Sequence, residues 1–257
     1  MPFTLSHTIV SPIISKLVNQ KLPIAGIAIG SMCPDLYRLF SNTTSLNSHD
    51  ISSVIYPNLF VGLFFSLFWY VLYRPTLYEA LNIKDDLYVD GSKSIFIFLC
   101  FLIISILLGT LTHILWDGLT HHDARSLLPI SFQQLQISFS TRTFSFSSIL
   151  QFLSSIIPLP FIYHWIKKYI KKHKCTTPSP SISHKPFKFY VFFTVFGGSI
   201  SLFHYVQNID PTIWSNHQYY FLGRMLNKFA QAAFIAFALC CAFHQFRYMK
   251  KLKESKN

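Results

Sequence analysis

The order of apolar and polar residues along the chain predicts a bundle of membrane-spanning helices. Apolar residues form long runs instead of the one-sided stripe of a soluble helix, and about twenty of them suffice to cross a bilayer. Five segments reach that length, at approximately 55–73, 94–116, 145–166, 187–206 and 229–246. Pro158 and Pro160 interrupt the third segment, which predicts a kink or a break there.

The N-terminal apolar stretch is of a different kind. Residues 8–15 and 22–32 are apolar, but the sequence KLVNQKLP between them carries two lysines, two amides and a proline. Each half is too short to cross a bilayer, and a charged centre makes one continuous span costly. We therefore expect a short helical hairpin packed on the bundle, with His7 and Asp35 at its outer ends on one side of the membrane.

Composition supports the bilayer as the solvent of this chain. The 257 residues are 51% hydrophobic and only 12% charged, whereas about a quarter of the residues in a soluble domain are charged. The formal net charge is +12, but basic residues cluster beside apolar runs, as in WIKKYIKKHK. Membrane topology and anionic lipid account for such clusters, so we expect no nucleic-acid partner.

These patterns predict an all-α, polytopic membrane protein with about five transmembrane helices and the N-terminal hairpin. We expect one membrane-embedded helical domain over residues 1–257. Its parts would be an N-terminal segment with candidate metal ligands (1–54), three spans (55–166), a basic Pro/Ser loop (167–186), and two C-terminal spans with a basic tail (187–257).

Basic residues also predict the orientation. With the C-terminus in the cytoplasm, fifteen of the 22 lysines and arginines fall on the inner side and seven on the outer side. Because cytoplasmic segments are enriched in these residues, the N-terminus, residues 117–144 and residues 207–228 are expected outside.

Histidines and aspartates gather on the outer side that this topology defines. In the sequence LTHILWDGLTHH, His113, Asp117 and His121 lie four residues apart and therefore share one face of a helix. The same side also receives His7, Asp35 and His49. An isolated charged side chain at mid-bilayer costs about 2.5–3.5 kcal/mol on insertion scales, and a metal ion would offset that cost.

The residue types favour zinc, because imidazole nitrogen and carboxylate oxygen are common zinc ligands, although manganese or iron accepts the same donors. One ion could be held by Asp35, His49, His113 and Asp117. His7 could hold a second ion with Asp117 as the bridge, and two ions about 3.5–4 Å apart can cleave a phosphoester. The candidate catalytic residues are Asp117, His121 and His122.

Four motifs resemble a family of bacterial membrane proteins that is catalogued as a domain of unknown function. They are MPFTLSH, GSMCPD, the SH at 48–49 and GTLTHILWDGLTH, and the likeness covers residues 1–158. Their His and Asp order also resembles membrane-bound metal-dependent hydrolases and, more distantly, the zinc-dependent phospholipase C fold shared with single-strand nucleases. That resemblance assigns Asp35, His49, His113 and Asp117 to one zinc, and His7 with bridging Asp117 to another.

The chain departs from the phospholipase C pattern at the third ion, because it contains no His-x-x-x-Glu sequence. We therefore expect a mononuclear or dinuclear site. The resemblance implies a metal-dependent hydrolase of a phosphoester, but it implies no particular substrate. With the predicted topology we expect the protein to act at the outer face of a bacterial inner membrane, and its membrane location makes a phospholipid or a lipid-linked phosphate the expected substrate. Arg38 or Arg125 is expected to orient the phosphate.

Other interpretations of the same residues stay open at the level of sequence. His113 and Asp117 could form only an i, i+4 pair, worth a few tenths of a kcal/mol, and Asp35 could cap a helix that begins at LYRLF. The cluster could instead conduct protons or metal ions in a transporter or a small membrane chaperone. A structural helical bundle could also use a metal for stability alone.

Overall fold

The computed structural model describes residues 4–40, 48–85, 87, 89–120, 127, 129, 135–139, 142–175, 185–209 and 218–254. Five of its helical segments are long and apolar enough to span a membrane: Ile51–Leu81, Gly91–Thr120, Phe146–His173, Phe187–Gln207 and Phe221–Lys250. The prediction of a helical, polytopic fold with about five spans is therefore confirmed, and the chain is an integral membrane protein.

The elements follow one another with few described connections. A 3-10 helix, Thr4–Ile9, leads into α1 (Val10–Leu17) and α2 (Ile24–Phe40), which form the expected hairpin. The first span comprises a 3-10 turn (Ile51–Val54), a π-helical turn (Ile55–Leu59), α3 (Phe60–Phe68), a second π-helical turn (Trp69–Tyr73) and α4 (Arg74–Leu81). The remaining elements are α5 (Gly91–Thr120), β1 (Gln136–Phe139), β2 (Arg142–Ser145), α6 (Phe146–Ile156), α7 (Pro158–His173), α8 (Lys185–Gln207) and α9 (Gln218–Glu254).

The third span breaks where its prolines lie. Helix α6 ends at Ile156 and α7 begins at Pro158, which confirms the expected interruption, because proline has no N–H for the helical ladder. Ser145 caps α6, since its hydroxyl accepts a hydrogen bond of 3.2 Å from the backbone N–H of Ser148. The small antiparallel hairpin of β1 and β2 before it was not expected from the apolar pattern.

Helix α7 also continues further than the pattern indicated. Residues 167–173, which the pattern placed in the basic loop 167–186, form its last two turns. Lysine and isoleucine are compatible with a helix, and the lysines of this stretch are exposed. The helix therefore extends beyond its apolar run with its charged side chains directed away from the protein interior.

The chain divides into two compact units, which are Met1–Ser66 with Leu87–Tyr169, and Leu67–Asp86 with Ile170–Asn257. The single domain expected over residues 1–257 stays a prediction. All of the candidate metal ligands that the structure describes belong to the first unit.

In the first unit, α2 and α5 cross with their backbones in direct contact. A Cβ atom added to Gly30 would lie 2.3 Å from the carbonyl oxygen of Ile106, and one added to Gly109 would lie 2.2 Å from that of Ile27. Glycines at a helix crossing allow membrane helices to approach this closely. Ile27 and Ile106 are completely buried around the crossing.

A proline in α2 ties the same two helices together. Pro34 has no N–H, so the carbonyl oxygen of Gly30, four residues earlier, lacks its usual helical partner. The hydroxyl of Thr110 in α5 donates a hydrogen bond of 3.1 Å to that oxygen. The sequence of α2 therefore creates an acceptor that α5 satisfies, which sets the register between the two helices.

The second unit has its own core, in which Tyr73, Ala238 and Cys241 are buried. The ring of Tyr73 lies 5.3 Å from that of Phe234 and 5.2 Å from that of Phe237, measured between ring centroids. Its hydroxyl donates a hydrogen bond of 3.0 Å to the carbonyl oxygen of Phe234. Aromatic packing and this hydrogen bond fasten the second π-helical turn to α9.

Buried charge in the second unit is paired. Arg74 lies 2.8 Å from the carboxylate of Asp85, and its guanidinium lies 4.6 Å from the ring centre of Tyr78. Nε2 of His244 lies 3.0 Å from Oε2 of Glu79, which joins α9 to α4. Such pairing is the usual condition for keeping ionisable groups within membrane-spanning helices.

Candidate metal centre

The crossing of α2 and α5 fixes the orientation of His113. Its Nδ1 lies 2.7 Å from the carbonyl oxygen of Ser31 in α2. A carbonyl oxygen only accepts, so Nδ1 carries the proton, and Nε2 of the neutral ring carries a lone pair. His113 is completely buried, and its Nε2 points at the carboxylate of Asp117 one turn further along α5.

His49 is fixed in the same way by its neighbour in the chain. The hydroxyl of Ser48 donates its proton to the carbonyl oxygen of Pro34 at 2.8 Å, so its oxygen accepts from Nδ1–H of His49 at 3.0 Å. Nε2 of His49 therefore also carries a lone pair. The carbonyl oxygen of Ser48 accepts hydrogen bonds from Ser53 and Asn58, which hold this segment in place.

Four of the predicted ligands converge at one point in the protein interior. The rings of His49 and His113 lie 5.3 Å apart between centroids, although they are separated by 64 positions in the sequence. Nε2 of His49 lies 3.3 Å from Oδ1 of Asp35 and 3.4 Å from Oδ2 of Asp117. Nε2 of His113 lies 3.5 Å from the same oxygen of Asp117. We call these four residues, together with His7, the His/Asp cluster.

These separations suit a shared cation better than shared protons. Charge-assisted hydrogen bonds between nitrogen and carboxylate oxygen are about 2.7–2.9 Å long, shorter than any of the three distances. Two ligand atoms at about 2.0–2.1 Å from a tetrahedral zinc ion lie about 3.3 Å from each other. Lone pairs that face one another in a buried site repel unless a positive charge lies between them, and the donor set therefore fits a divalent ion.

Asp35 reaches the cluster from inside α2. Because α2 continues through Pro34 to Phe40, Asp35 does not cap a new helix, and that alternative is wrong. One of its oxygens accepts a hydrogen bond of 2.8 Å from the hydroxyl of Thr4, and the other faces His49.

His7 lies against the cluster, stacked on His113 with 4.0 Å between ring centroids. Burial, together with the neighbouring His113, lowers the pKa of His7 to about 4, so its ring is neutral at pH 7. Donor atoms of His7, Asp35 and His113 lie close enough to hold one ion, as do those of His49, His113 and Asp117. Since Nε2 of His113 can serve only one ion, these two arrangements compete for it.

A cavity of about 420 Å³ lies beside the cluster within the first unit. Its wall includes His7 and Asp117, and Thr112, Trp116 and Thr120 of α5 also contribute to it. Helix α6, the start of α7 and the N-terminal 3-10 helix complete the wall. The side chain of Asp117 is only 1% exposed, so the cavity ends at the cluster without opening it widely to solvent.

Some predicted site residues cannot be placed by the structure. His121, His122 and Arg125 lie outside the described residues, and so does the side chain of Arg38, whose backbone belongs to α2. Their expected roles in catalysis and phosphate binding stay predictions.

The sequence pattern missed the groups that orient the ligands. These are Thr4, the carbonyl oxygen of Ser31, and Ser48. Two signals were available for them. Ser48 immediately precedes His49, and the glycines of GIAIG, four positions apart at Gly26 and Gly30, indicate a close helix crossing that brings the backbone of α2 to α5.

The chain matches a known family over most of its length. A family model described as Domain of unknown function (DUF4184) matches residues 1–242, well beyond the 158 residues over which the motifs were compared. No curated protein and no solved structure matches the chain.

Proposed function

The chain belongs to the DUF4184 family, whose description assigns no activity, and from the geometry of the His/Asp cluster we propose that it is a membrane-bound, metal-dependent phosphoester hydrolase. One observation carries the proposal. Two imidazoles with fixed Nδ1 protons turn their Nε2 lone pairs toward two carboxylates in a buried site that borders a cavity. This arrangement provides metal ligands at the end of a space that can admit a substrate.

The proposed ion has His49, His113 and Asp117 as ligands, whose donor atoms lie mutually close, and Asp35, which lies beside His49, is the proposed fourth ligand. Zinc is the preferred ion because nitrogen and oxygen donors at these separations suit tetrahedral coordination, while manganese and iron accept the same donors. A bound divalent ion would polarise a phosphate and activate water for attack on phosphorus. A second ion would need His7 and a bridging Asp117, because His113 serves the first.

Protein groups around the ion have separate tasks in this proposal. Ser31 and Ser48 keep the two imidazoles in the tautomer that binds metal, and Thr4 orients Asp35. Asp117, His121 and His122 are the proposed catalytic residues, and Arg38 or Arg125 the proposed phosphate ligand. The likeness in motif order to membrane-bound hydrolases and to the phospholipase C fold supports the reaction class by resemblance alone.

We place the protein in a bacterial inner membrane with the cluster at the outer face. The excess of basic residues on the side of the C-terminus supports this orientation. A phospholipid or a lipid-linked phosphate would then reach the site from the outer leaflet.

Metal content and phosphodiester hydrolysis, measured on the same preparations, test the proposal. Full-length protein purified in detergent without chelator should contain at least one equivalent of zinc, manganese or iron by elemental analysis. It should release p-nitrophenol from bis-p-nitrophenyl phosphate. His113→Ala and Asp35→Ala should each lose most of the metal and at least about 100-fold in activity, because ligand loss exceeds the 10–100-fold effect of outer-shell residues.

His204→Ala and Asp90→Ala are matched controls, because both side chains are exposed and lie outside the cluster. They should retain metal and activity. Parent protein without metal would refute the hydrolase proposal. Metal without turnover of any phosphoester would favour the alternatives, a metal that only stabilises the fold or a cluster that transports protons or metal ions.

A further inference from the structure

The surface of the cavity beside the cluster is mainly apolar. Ile9 lies at the end of the N-terminal 3-10 helix, Leu150 and Leu153 belong to α6, and Ile157 follows α6. The polar contributions are hydroxyl, amide and imidazole groups together with Asp117. Such a wall resembles a hydrocarbon solvent over most of its surface.

The charge of the described part of the cavity wall disfavours a highly anionic substrate. Among the described residues that line the cavity there is neither lysine nor arginine, and Asp117 contributes a negative charge. A nucleotide would bring several negative charges into a space whose described wall offers no basic side chain, which is unfavourable. A substrate with a single phosphate and an apolar substituent suits the site better, because the phosphate can bind the proposed metal while the substituent occupies the apolar cavity.

The outer edge of the cavity is exposed on helices that are capable of spanning a membrane. Leu153 is 45% exposed, Ile157 is 54% exposed and Trp116 is 39% exposed. Trp116 lies in the segment Gly91–Thr120, and Leu153 and Ile157 lie in the segment Phe146–His173. Both segments are long and apolar enough to span a membrane. In a bilayer, lipid would contact this edge, and an acyl or prenyl chain is the apolar solute available there.

From these observations we infer that the cavity between α5, α6 and the N-terminal 3-10 helix binds the hydrocarbon chain of an amphiphilic phosphoester, with its phosphate directed at the His/Asp cluster. This inference rests on the proposed function and specifies its substrate class. It predicts that chain length controls affinity, because each buried methylene contributes favourably until the cavity is full.

Binding of n-alkyl phosphonates tests the inference without requiring hydrolysis. Ethyl to decyl phosphonates, each below its critical micelle concentration, are titrated into the metal-loaded, full-length protein by calorimetry. The Kd should fall about fourfold for each added methylene and then level off. The same preparation is assayed for hydrolysis of bis-p-nitrophenyl phosphate, so that failure of the reaction and failure of the chain site are separate results.

Neighbouring positions on α6 supply a matched pair of variants. Leu153→Trp fills the cavity, whereas Phe152→Trp alters an adjacent side chain that is 60% exposed and does not line it. Leu153→Trp should retain its metal and its affinity for ethyl phosphonate but lose the gain from longer chains. Phe152→Trp should behave like the parent protein.

A second filling variant, Ser154→Leu, gives the same test if Leu153→Trp does not fold, because Ser154 also lines the cavity. Independence of Kd from chain length in the parent protein would overturn the inference. The inference would also be overturned if a filling variant that retains its metal showed the same increase in affinity with chain length as the parent protein. Length-dependent binding without hydrolysis would support the chain site and contradict the hydrolase.

Discussion

At the scale of single residues, the decisive feature is which nitrogen of each histidine carries the proton. The carbonyl oxygen of Ser31 and the hydroxyl of Ser48 accept from Nδ1 of His113 and His49, respectively. Each interaction leaves Nε2 as a lone-pair donor directed at Asp117. Ser31 and Ser48, which contact the histidines and not the proposed ion itself, therefore determine which histidine nitrogen is available to bind metal.

Replacement of Ser48 tests this control of the tautomer. Ser48→Ala removes the acceptor for Nδ1 of His49 while leaving all proposed ligands in place, so metal affinity should fall about 10–100-fold. The measurement is competition for zinc with a chelator of known affinity. Ser52→Ala is the control, because Ser52 is exposed and close in sequence. Equal zinc affinity in both variants would contradict the role assigned to Ser48.

At the scale of secondary-structure elements, the crossing of α2 and α5 positions the cluster. The two glycines of the crossing let the backbones touch, and Thr110 satisfies the carbonyl oxygen that Pro34 leaves without a helical partner. The same approach brings the carbonyl oxygen of Ser31 to His113. Separating the helices by even a fraction of an ångström would lengthen that hydrogen bond.

An alanine at Gly30 should therefore damage the metal centre without touching a proposed ligand. Its Cβ would lie 2.3 Å from a backbone oxygen of α5, so the helices must move apart. We expect Gly30→Ala to lower the unfolding temperature in detergent and to reduce bound metal. Thermal unfolding and elemental analysis measure the two effects.

Gly223→Ala in α9 is the matched control for this substitution. Among the described residues outside its own turn of helix, no heavy atom lies within 4 Å of the position of its added Cβ, and alanine favours a helix by about 0.8–1.0 kcal/mol over glycine. Its unfolding temperature should stay the same or rise, with unchanged metal. A Gly30→Ala protein as stable and as metal-rich as this control would show that the close crossing does not position the cluster.

At the scale of the whole molecule, five membrane-capable helices determine which connections share a side of the membrane. Helix α5 has 30 residues and is therefore about 45 Å long, whereas the hydrocarbon core is about 30 Å thick. Asp117 lies within the last turn of α5 and can therefore approach the membrane surface, where a lipid phosphate also lies.

Reporter fusions test this topology in cells. Alkaline phosphatase joined after Leu127 or Ile209 should be active, whereas fusions after Lys174 or Glu254 should be inactive, because an odd number of spans separates the two sets. Green fluorescent protein at the same positions should give the opposite pattern. Matching signals after Leu127 and Lys174 would contradict the five-span arrangement.

Sequence alone determined the fold class and predicted which residues form the His/Asp cluster. A run of about twenty apolar residues is stable in a bilayer as a helix, because every backbone N–H and C=O group then finds its hydrogen-bond partner within the segment. The i, i+4 spacing likewise fixed His113 and Asp117 on one face of α5, because helical geometry is local. The π-helical turns of the first span and the extension of α7 through residues 167–173 escaped prediction, since apolar runs do not specify such local geometry.

Only the tertiary structure decided how the cluster is assembled. The ring centroids of His49 and His113 lie 5.3 Å apart. This proximity results from the close crossing of α2 and α5 and from the hydrogen bond between Ser48 and Pro34, which are contacts between residues far apart in the chain. The tautomers, the sharing of His113 between two possible metal positions and the cavity wall depend on the same contacts. Periodicity reports which residues share a face of one helix, whereas packing between helices determines which faces meet.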